Sequence, residues 1–159
     1  MTRLYGRAPA NERINDYVPD VRFQRASILS TVRLDGTQVP LVFNGTLDGK
    51  LFKKYAEDFL APTLSSGDIL LLDNSSVDRA KDVLDSIIER GVTVLFLPPY
   101  SSDYNPIEML WSKMKSFLRK RKARTHYALM EAINEALNNI SLDDISAWFK
   151  HNGYVPNSC

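Results

Sequence analysis

Two short, wholly apolar runs separated by one amphipathic stretch constrain this chain more than anything else in it. Ile69-Leu70-Leu71-Leu72 follows Gly67-Asp68, and Thr93 to Leu97 follows Gly91. A brief apolar run without polar alternation predicts a strand covered on both faces, as in a parallel sheet. Between the runs, Val77, Ala80, Val83, Leu84, Ile87 and Ile88 fall at three-and-four spacing. That is a helical stripe, with Ser75 or Ser76 to cap its start and Gly91 to stop it. Residues 69–97 therefore read as one β-α-β unit with parallel strands and a right-handed crossover. In such sheets chemistry gathers beyond the carboxyl ends of the strands. Asp73 stands at such an end.

The flanks predict a mixed α/β domain. Residues 1–22 carry Pro9, Pro19, several arginines and no sustained period, which predicts an irregular arm. Ile28, Val32 and Leu34 alternate with polar neighbours, Asp35-Gly36 makes a tight turn, and Val39 to Phe43 is β-rich, so a hairpin is expected. Asp48 caps a helix with Leu51, Phe52, Tyr55, Phe59 and Leu60 on one face, ended before Pro62. Asn105-Pro106-Ile107-Glu108 is a helix start with a capping Asn, Pro at the first position and Glu three residues after the cap. That helix buries Ile107, Leu110, Trp111, Met114, Phe117 and Leu118. A further helix carries Leu129 to Ile140, and Ser141 with Asp144 predicts a capping box before a last helix around Ile145, Trp148 and Phe149, stopped by Gly153.

Composition narrows the functional classes. With 159 residues, 44% apolar and 25% charged, the chain suits a single folded domain. No apolar run approaches a membrane span of about 20 residues, and the start lacks an apolar signal core, so a cytoplasmic location with no membrane partner is expected. The one cysteine, Cys159, excludes an internal disulfide and a cysteine cluster for zinc. A net charge of +1 exerts no global pull on nucleic acid, so any such pull has to be local.

Two carboxylates are placed for chemistry. Asp73 also suits a chain-turning cap, and Glu108 also suits the capping box. As a pair they offer hard oxygen donors of the kind that hold Mg²⁺ with substrate phosphate oxygens. The β-α-β unit lets two element ends share one sheet edge. Lys113, Lys115, Arg119, Lys120, Arg121, Lys122 and Arg124 form a basic run that is either a solvated helix face or a phosphate-binding surface near the metal. His126 and His151 are isolated, Trp111 and Trp148 lie on apolar faces, and Tyr100 and Tyr104 suit either loop anchors or base-stacking groups.

LLLDNSS, then LPPYSSDYNPIEMLWSKMK after one helix and strand, resembles the DDE-superfamily endonuclease domain of mariner-like bacterial insertion-sequence transposases. The likeness spans nearly the whole chain, through YGRAP, VPLVFNG and the closing WFKHNGY. The 35-position step from Asp73 to Glu108 is characteristic of one branch of that family. The resemblance implies a ribonuclease H-like fold, Mg²⁺ or Mn²⁺ as cofactor, two ions in the complete site, and DNA cleavage and strand transfer without a covalent enzyme intermediate. It assigns Asp73 as the second catalytic carboxylate and Glu108 as the third, both metal ligands, with Asn74 and Asn105 shaping the site.

The family's first catalytic Asp belongs to a strand expected before an arm like MTRLYGRA. Asp16, Asp20 and Asp35 do not end an apolar strand, so the expectation is a partial catalytic domain over residues 1–159, lacking the first central strand and the upstream helix-turn-helix domain. Asp78 stands where family members usually carry a histidine. The implied partners are DNA, as transposon ends and target, the upstream transposase fragment, and a second copy in the complete enzyme, at the bacterial nucleoid. The rivals are a non-catalytic DNA- or partner-binding remnant and a general nuclease of the same fold acting on RNA.

Overall fold

The computed structural model describes residues 26–73, 81–99 and 101–154. The expected arm, Asn74, the serine cap, Val77, Asp78, Ala80, Tyr100 and Cys159 lie outside these residues. The elements are β1 (Ala26–Leu29), β2 (Leu41–Asn44), α1 (Gly49–Tyr55), β3 (Ile69–Leu72), α2 (Lys81–Glu89), β4 (Thr93–Phe96), α3 (Pro106–Arg121), α4 (His126–Asn138) and α5 (Leu142–His151). The order is the mixed α/β one that the sequence predicts.

β1 and β2 form an antiparallel hairpin with Ala26 opposite Asn44 and Leu29 opposite Leu41. The same register continues to an isolated bridge between Val32 and Gln38. Bonds from Val39 N to Thr31 O (3.3 Å) and from Arg33 N to Thr37 O (2.9 Å) leave Pro40, opposite Ser30, at a non-hydrogen-bonded site. Its missing N–H therefore breaks no ladder bond. The hairpin tip is a turn in which Gly36 N bonds Arg33 O at 3.1 Å. Gly36 has φ +93°, and a Cβ there would lie 3.3 Å from Leu142 of α5, so both backbone and space favour glycine.

Asp48 caps α1, its Oδ1 accepting from Leu51 N at 2.7 Å. The helical path then continues past Tyr55 through a wide π turn, Ala56–Leu60, and a tight 3-10 turn, Ala61–Thr63, that includes Pro62. The widened turn changes the phase of the apolar stripe. Phe59, expected in the buried face, is 45% exposed and stacks on Tyr55 with ring centroids 6.3 Å apart.

The β-α-β unit forms with the parallel strands expected. β3 and β4 are parallel, Ile69 beside Thr93 and Leu72 beside Phe96, and bonds from Thr93 N to Asp68 O and from Leu97 N to Leu72 O, each 2.8 Å, extend the pairing at both ends. Gly91 ends α2 at φ +83°, and a Cβ there would meet Ser66 Oγ at 2.5 Å. Side chains alternate faces along a strand. Leu70, Leu72 and Val94 pack with Phe52, Tyr55, Leu60, Val83, Leu84 and Ile87 in one core. The opposite face departs from the expectation of strands covered on both sides, because Ile69 is 63% exposed and Leu95 46%. Among the described residues the parallel pair has only two strands, too few to be enclosed as larger parallel sheets are.

The last three helices make a second core of Leu110, Ile140, Ile145 and Trp148, against which Val32, Trp111 and Phe149 pack. The hairpin serves both cores, with Leu29 and Leu41 on the first and Val32 on the second. α5 opens with the predicted capping box: Ser141 Oγ accepts from Asp144 N at 3.1 Å, and Asp144 Oδ2 accepts from Ser141 N at 2.9 Å. No helix among the described residues is long and apolar enough to cross a membrane.

Candidate metal centre and nucleic-acid interface

Asp73 is the first residue past β3 and is solvent-exposed. The β3–β4 pairing continues to Leu97, so Asp73 stands beside the exit of β4. From that exit the chain passes through Pro98 and Pro99 and a 3-10 turn, Ser102–Tyr104, into α3. Glu108 lies in the first turn of α3 and is also exposed. Both carboxylates thus sit on segments that leave the carboxyl edge of the same parallel pair, one at once and the other after a loop.

Local chemistry accounts for the start of α3. Asn105 adopts an extended cap conformation and its side chain accepts from Ile107 N at 3.4 Å. Pro106 fills the first helical position, where no N–H is needed. Glu108 N bonds Asn105 O at 3.0 Å. The expected reciprocal box between Asn105 and Glu108 is not formed among the described residues, in contrast to the full box at α5. Asn105 bonds the second helical N–H and does not reach the third, so the Glu108 carboxylate is not drawn back over the cap.

The loop before Asn105 is braced by the segment after α5. Asn152 Nδ2 donates to Asp103 O, and Tyr154 Oη donates to Tyr104 O at 2.9 Å. Nothing in the local sequence pattern signals these contacts, although the closing HNGY holds both side chains. Tyr104 itself is 58% exposed.

The basic run divides. Lys113 Nζ pairs with the Asp144 carboxylate of α5, and that hydrogen bond, with those from Ser141, holds the Asp144 carboxyl down at about 2. Arg121 pairs with Glu135 of α4 and lies 5.5 Å from the Phe117 ring centroid. Lys115 and Arg119 are exposed and follow Glu108 by seven and eleven residues, close to whole turns, so they share its face of α3. At 1.5 Å per residue they lie about 10 and 16 Å along the axis from it. Lys120, Lys122 and Arg124 are exposed at the end of the helix, with Lys122 a left-handed cap at φ +47°. His126 and His151 are exposed helix-terminal residues, while Trp148 is buried.

Carboxylates such as those of Asp73 and Glu108 are hard donors of the kind that take Mg²⁺ or Mn²⁺ as part of a ligand set. Among the described residues no three His, Cys, Asp or Glu side chains gather as a metal site.

Residues 1–130 match the family described as DDE superfamily endonuclease. The chain belongs to that family. No curated protein matches it. DDE endonuclease domains are transposase-like nucleases that act on DNA and generally use divalent metal ions. The mixed α/β architecture with small sheets is compatible with a DDE nuclease fold. The matched span contains Asp73, Glu108 and the whole basic run.

Proposed function

We propose that this chain is catalytic-domain sequence of a mariner-like bacterial insertion-sequence transposase. In this reading the fold is ribonuclease H-like, and Asp73 and Glu108 are two of three carboxylates that hold Mg²⁺ or Mn²⁺. The observation that carries it is the departure of both carboxylate segments from one edge of a parallel β-α-β unit in a DDE superfamily endonuclease. The third carboxylate is taken to come from a strand outside the described residues, which would also extend the two-stranded sheets.

When bound, the ions would supply activation of the attacking oxygen and neutralisation of the leaving oxygen in an in-line displacement at a phosphodiester. Asp73 and Glu108 would hold them, Asn105 fixes the helix turn that carries Glu108, and Asn74 would border the site. Lys115 and Arg119 would bind phosphates on the same helix face as Glu108, with Lys120, Lys122 and Arg124 extending that contact. Lys113 and Arg121 would join it only by leaving Asp144 and Glu135.

A cleavage assay on labelled DNA with Mg²⁺ or Mn²⁺ tests this, run on the chain alone and with an upstream transposase segment added. Metal-dependent cleavage on addition of the segment, abolished by Asp73→Asn, supports the reading. Absence of metal-dependent cleavage in both arms sinks it. The rival reading is a DNA- or partner-binding remnant without catalysis, which keeps the fold and the exposed basic residues of α3. DNA binding without cleavage in either arm is its expected result.

A further inference from the structure

We propose that Asn152 and Tyr154, just past the end of α5, are positioning residues that set Glu108 for metal binding; this rests on the metal-ligand reading of Glu108. The loop from Ser101 to Tyr104 is a short 3-10 turn, with Tyr104 N bonded to Ser101 O at 3.1 Å and Ser101 Oγ to Pro99 O at 3.4 Å. Bonds within so short a turn do not fix it against the rest of the protein; contacts from outside do. The two side-chain donors on its carbonyls arise 49 and 50 residues later in the chain, from Asn152 to Asp103 and from Tyr154 to Tyr104.

These donors are themselves held rigidly. α5 ends with Gly153 N bonded to Lys150 O (3.1 Å) and Tyr154 N bonded to Phe149 O (2.8 Å), with Gly153 at φ +86°. That is the Schellman pattern. Its usual apolar contact is present too, as the rings of Tyr154 and Phe149 meet edge-on with centroids 6.2 Å apart. Asn152 is 8% exposed, and its Oδ1 has no hydrogen-bond partner among the described residues. A buried amide that uses only its donor half is unusual, and that donor goes to the loop.

The same helix fixes the other side of Glu108. Ile145 and Trp148 of α5 pack on Leu110, two residues beyond Glu108 on α3. α5 and the residues just past it thus hold the chain before Glu108 through hydrogen bonds and after it through the core, while the Glu108 side chain is left exposed. Loss of a partner bonded directly to a metal ligand typically weakens metal affinity by about 10- to 100-fold, and a brace that acts through the backbone of residues 103 and 104 belongs at the lower end of that range.

The test uses the full chain, Mn²⁺ alone as probe and NMR. Tyr154→Phe removes the hydroxyl and keeps the ring contact; Asn152→Ala is the second variant, and Arg33→Met, which breaks bonds to Thr63 and Asp68 and none to the loop, is a control for general loss of stability. Amide exchange at Tyr104 and Glu108 and Mn²⁺ broadening of the Glu108 amide are read in each. Faster exchange with at least about 10-fold weaker Mn²⁺ binding in Tyr154→Phe, absent in the Arg33→Met control, supports the proposal. Wild-type exchange and affinity in Tyr154→Phe overturn it, even if Asn152→Ala fails to fold. If the wild-type chain shows no Mn²⁺ effect that Glu108→Gln removes, either alone or with the upstream segment added, the metal-ligand reading fails instead and takes this proposal with it.

Discussion

Arg33 and Asp68 meet through two prongs, Nη1 to Oδ2 at 2.5 Å and Nη2 to Oδ1 at 3.1 Å. The pair joins the hairpin tip to the residue before β3, 35 positions later. Arg33 Nη1 also donates to Thr63 O at 2.9 Å, and Asp68 Oδ2 also accepts from Ser65 N at 2.8 Å. The pair is therefore a bracket between the antiparallel and parallel strand pairs, which share no ladder bond among the described residues. Both side chains are about one quarter exposed, 29% and 23%, so solvent weakens the attraction without removing it. Arg33→Met should cost about 1–2 kcal/mol, more than a fully exposed pair and less than a buried one. Thermal denaturation should show a midpoint lower by a few degrees, and a midpoint equal to wild type would show that the bracket is not stabilising.

Acid stability should report the pairs at Asp68 and Asp144. The hydrogen bond from Arg33 lowers the Asp68 carboxyl first, and that from Lys113 lowers Asp144 to about 2. A carboxylate depressed by folding contributes stability that is complete above its unfolded value of about 3.9. That contribution is lost as pH falls through the folded value. Stability should therefore decline between about pH 4 and about 2 as Asp144 takes up its proton. Lys113→Met removes the largest cause of the Asp144 shift and should move acid unfolding, followed by circular dichroism, to higher pH. An unchanged acid midpoint would mean that the Lys113 contact contributes no net stability.

These two contacts also mark where reading the sequence stops. Apolar period and cap chemistry are local, so β3, β4, α3 and the Ser141–Asp144 box can be read from neighbouring residues. The edge shared by the Asp73 and Glu108 segments follows from the β-α-β rule. Lys113–Asp144, Arg33–Asp68 and Asn152–Asp103 join residues 31 to 49 positions apart and depend on how whole elements pack. Exposure of Ile69 and Leu95 has the same origin, since an apolar strand encodes a wish for cover and not the cover itself. Phe59 fails locally for a different reason, because a π turn changes the helix period on which its placement rests.

The start of α3 separates structure from chemistry at two neighbouring residues. Asn105 caps the helix, and Asn105→Ala should cost about 0.5–2 kcal/mol. Glu108 forms no reciprocal box, so Glu108→Gln should leave the unfolding free energy within about 0.5 kcal/mol of wild type. The same change should abolish the Mn²⁺ effect at the Glu108 amide. A large loss of stability in Glu108→Gln with retained metal affinity would return Glu108 to a structural role.

Charge along α3 gives a prediction about DNA that distinguishes cations in one basic run. Lys115 and Arg119 are exposed on the Glu108 face, whereas the Lys113 ammonium is engaged by Asp144. A phosphate contact on duplex DNA contributes about 0.9 to the slope of log affinity against log salt. Lys115→Gln with Arg119→Gln should therefore lower that slope by up to about 1.8 while leaving thermal stability near wild type. Lys113→Gln should do the reverse, lowering stability with little change in slope, because its charge neutralises a carboxylate on α5. Fluorescence anisotropy with labelled duplex DNA across a salt series measures the slopes. Equal slopes in all three proteins would remove α3 from the DNA-binding surface, and a larger effect at Lys113 would show that DNA displaces it from Asp144.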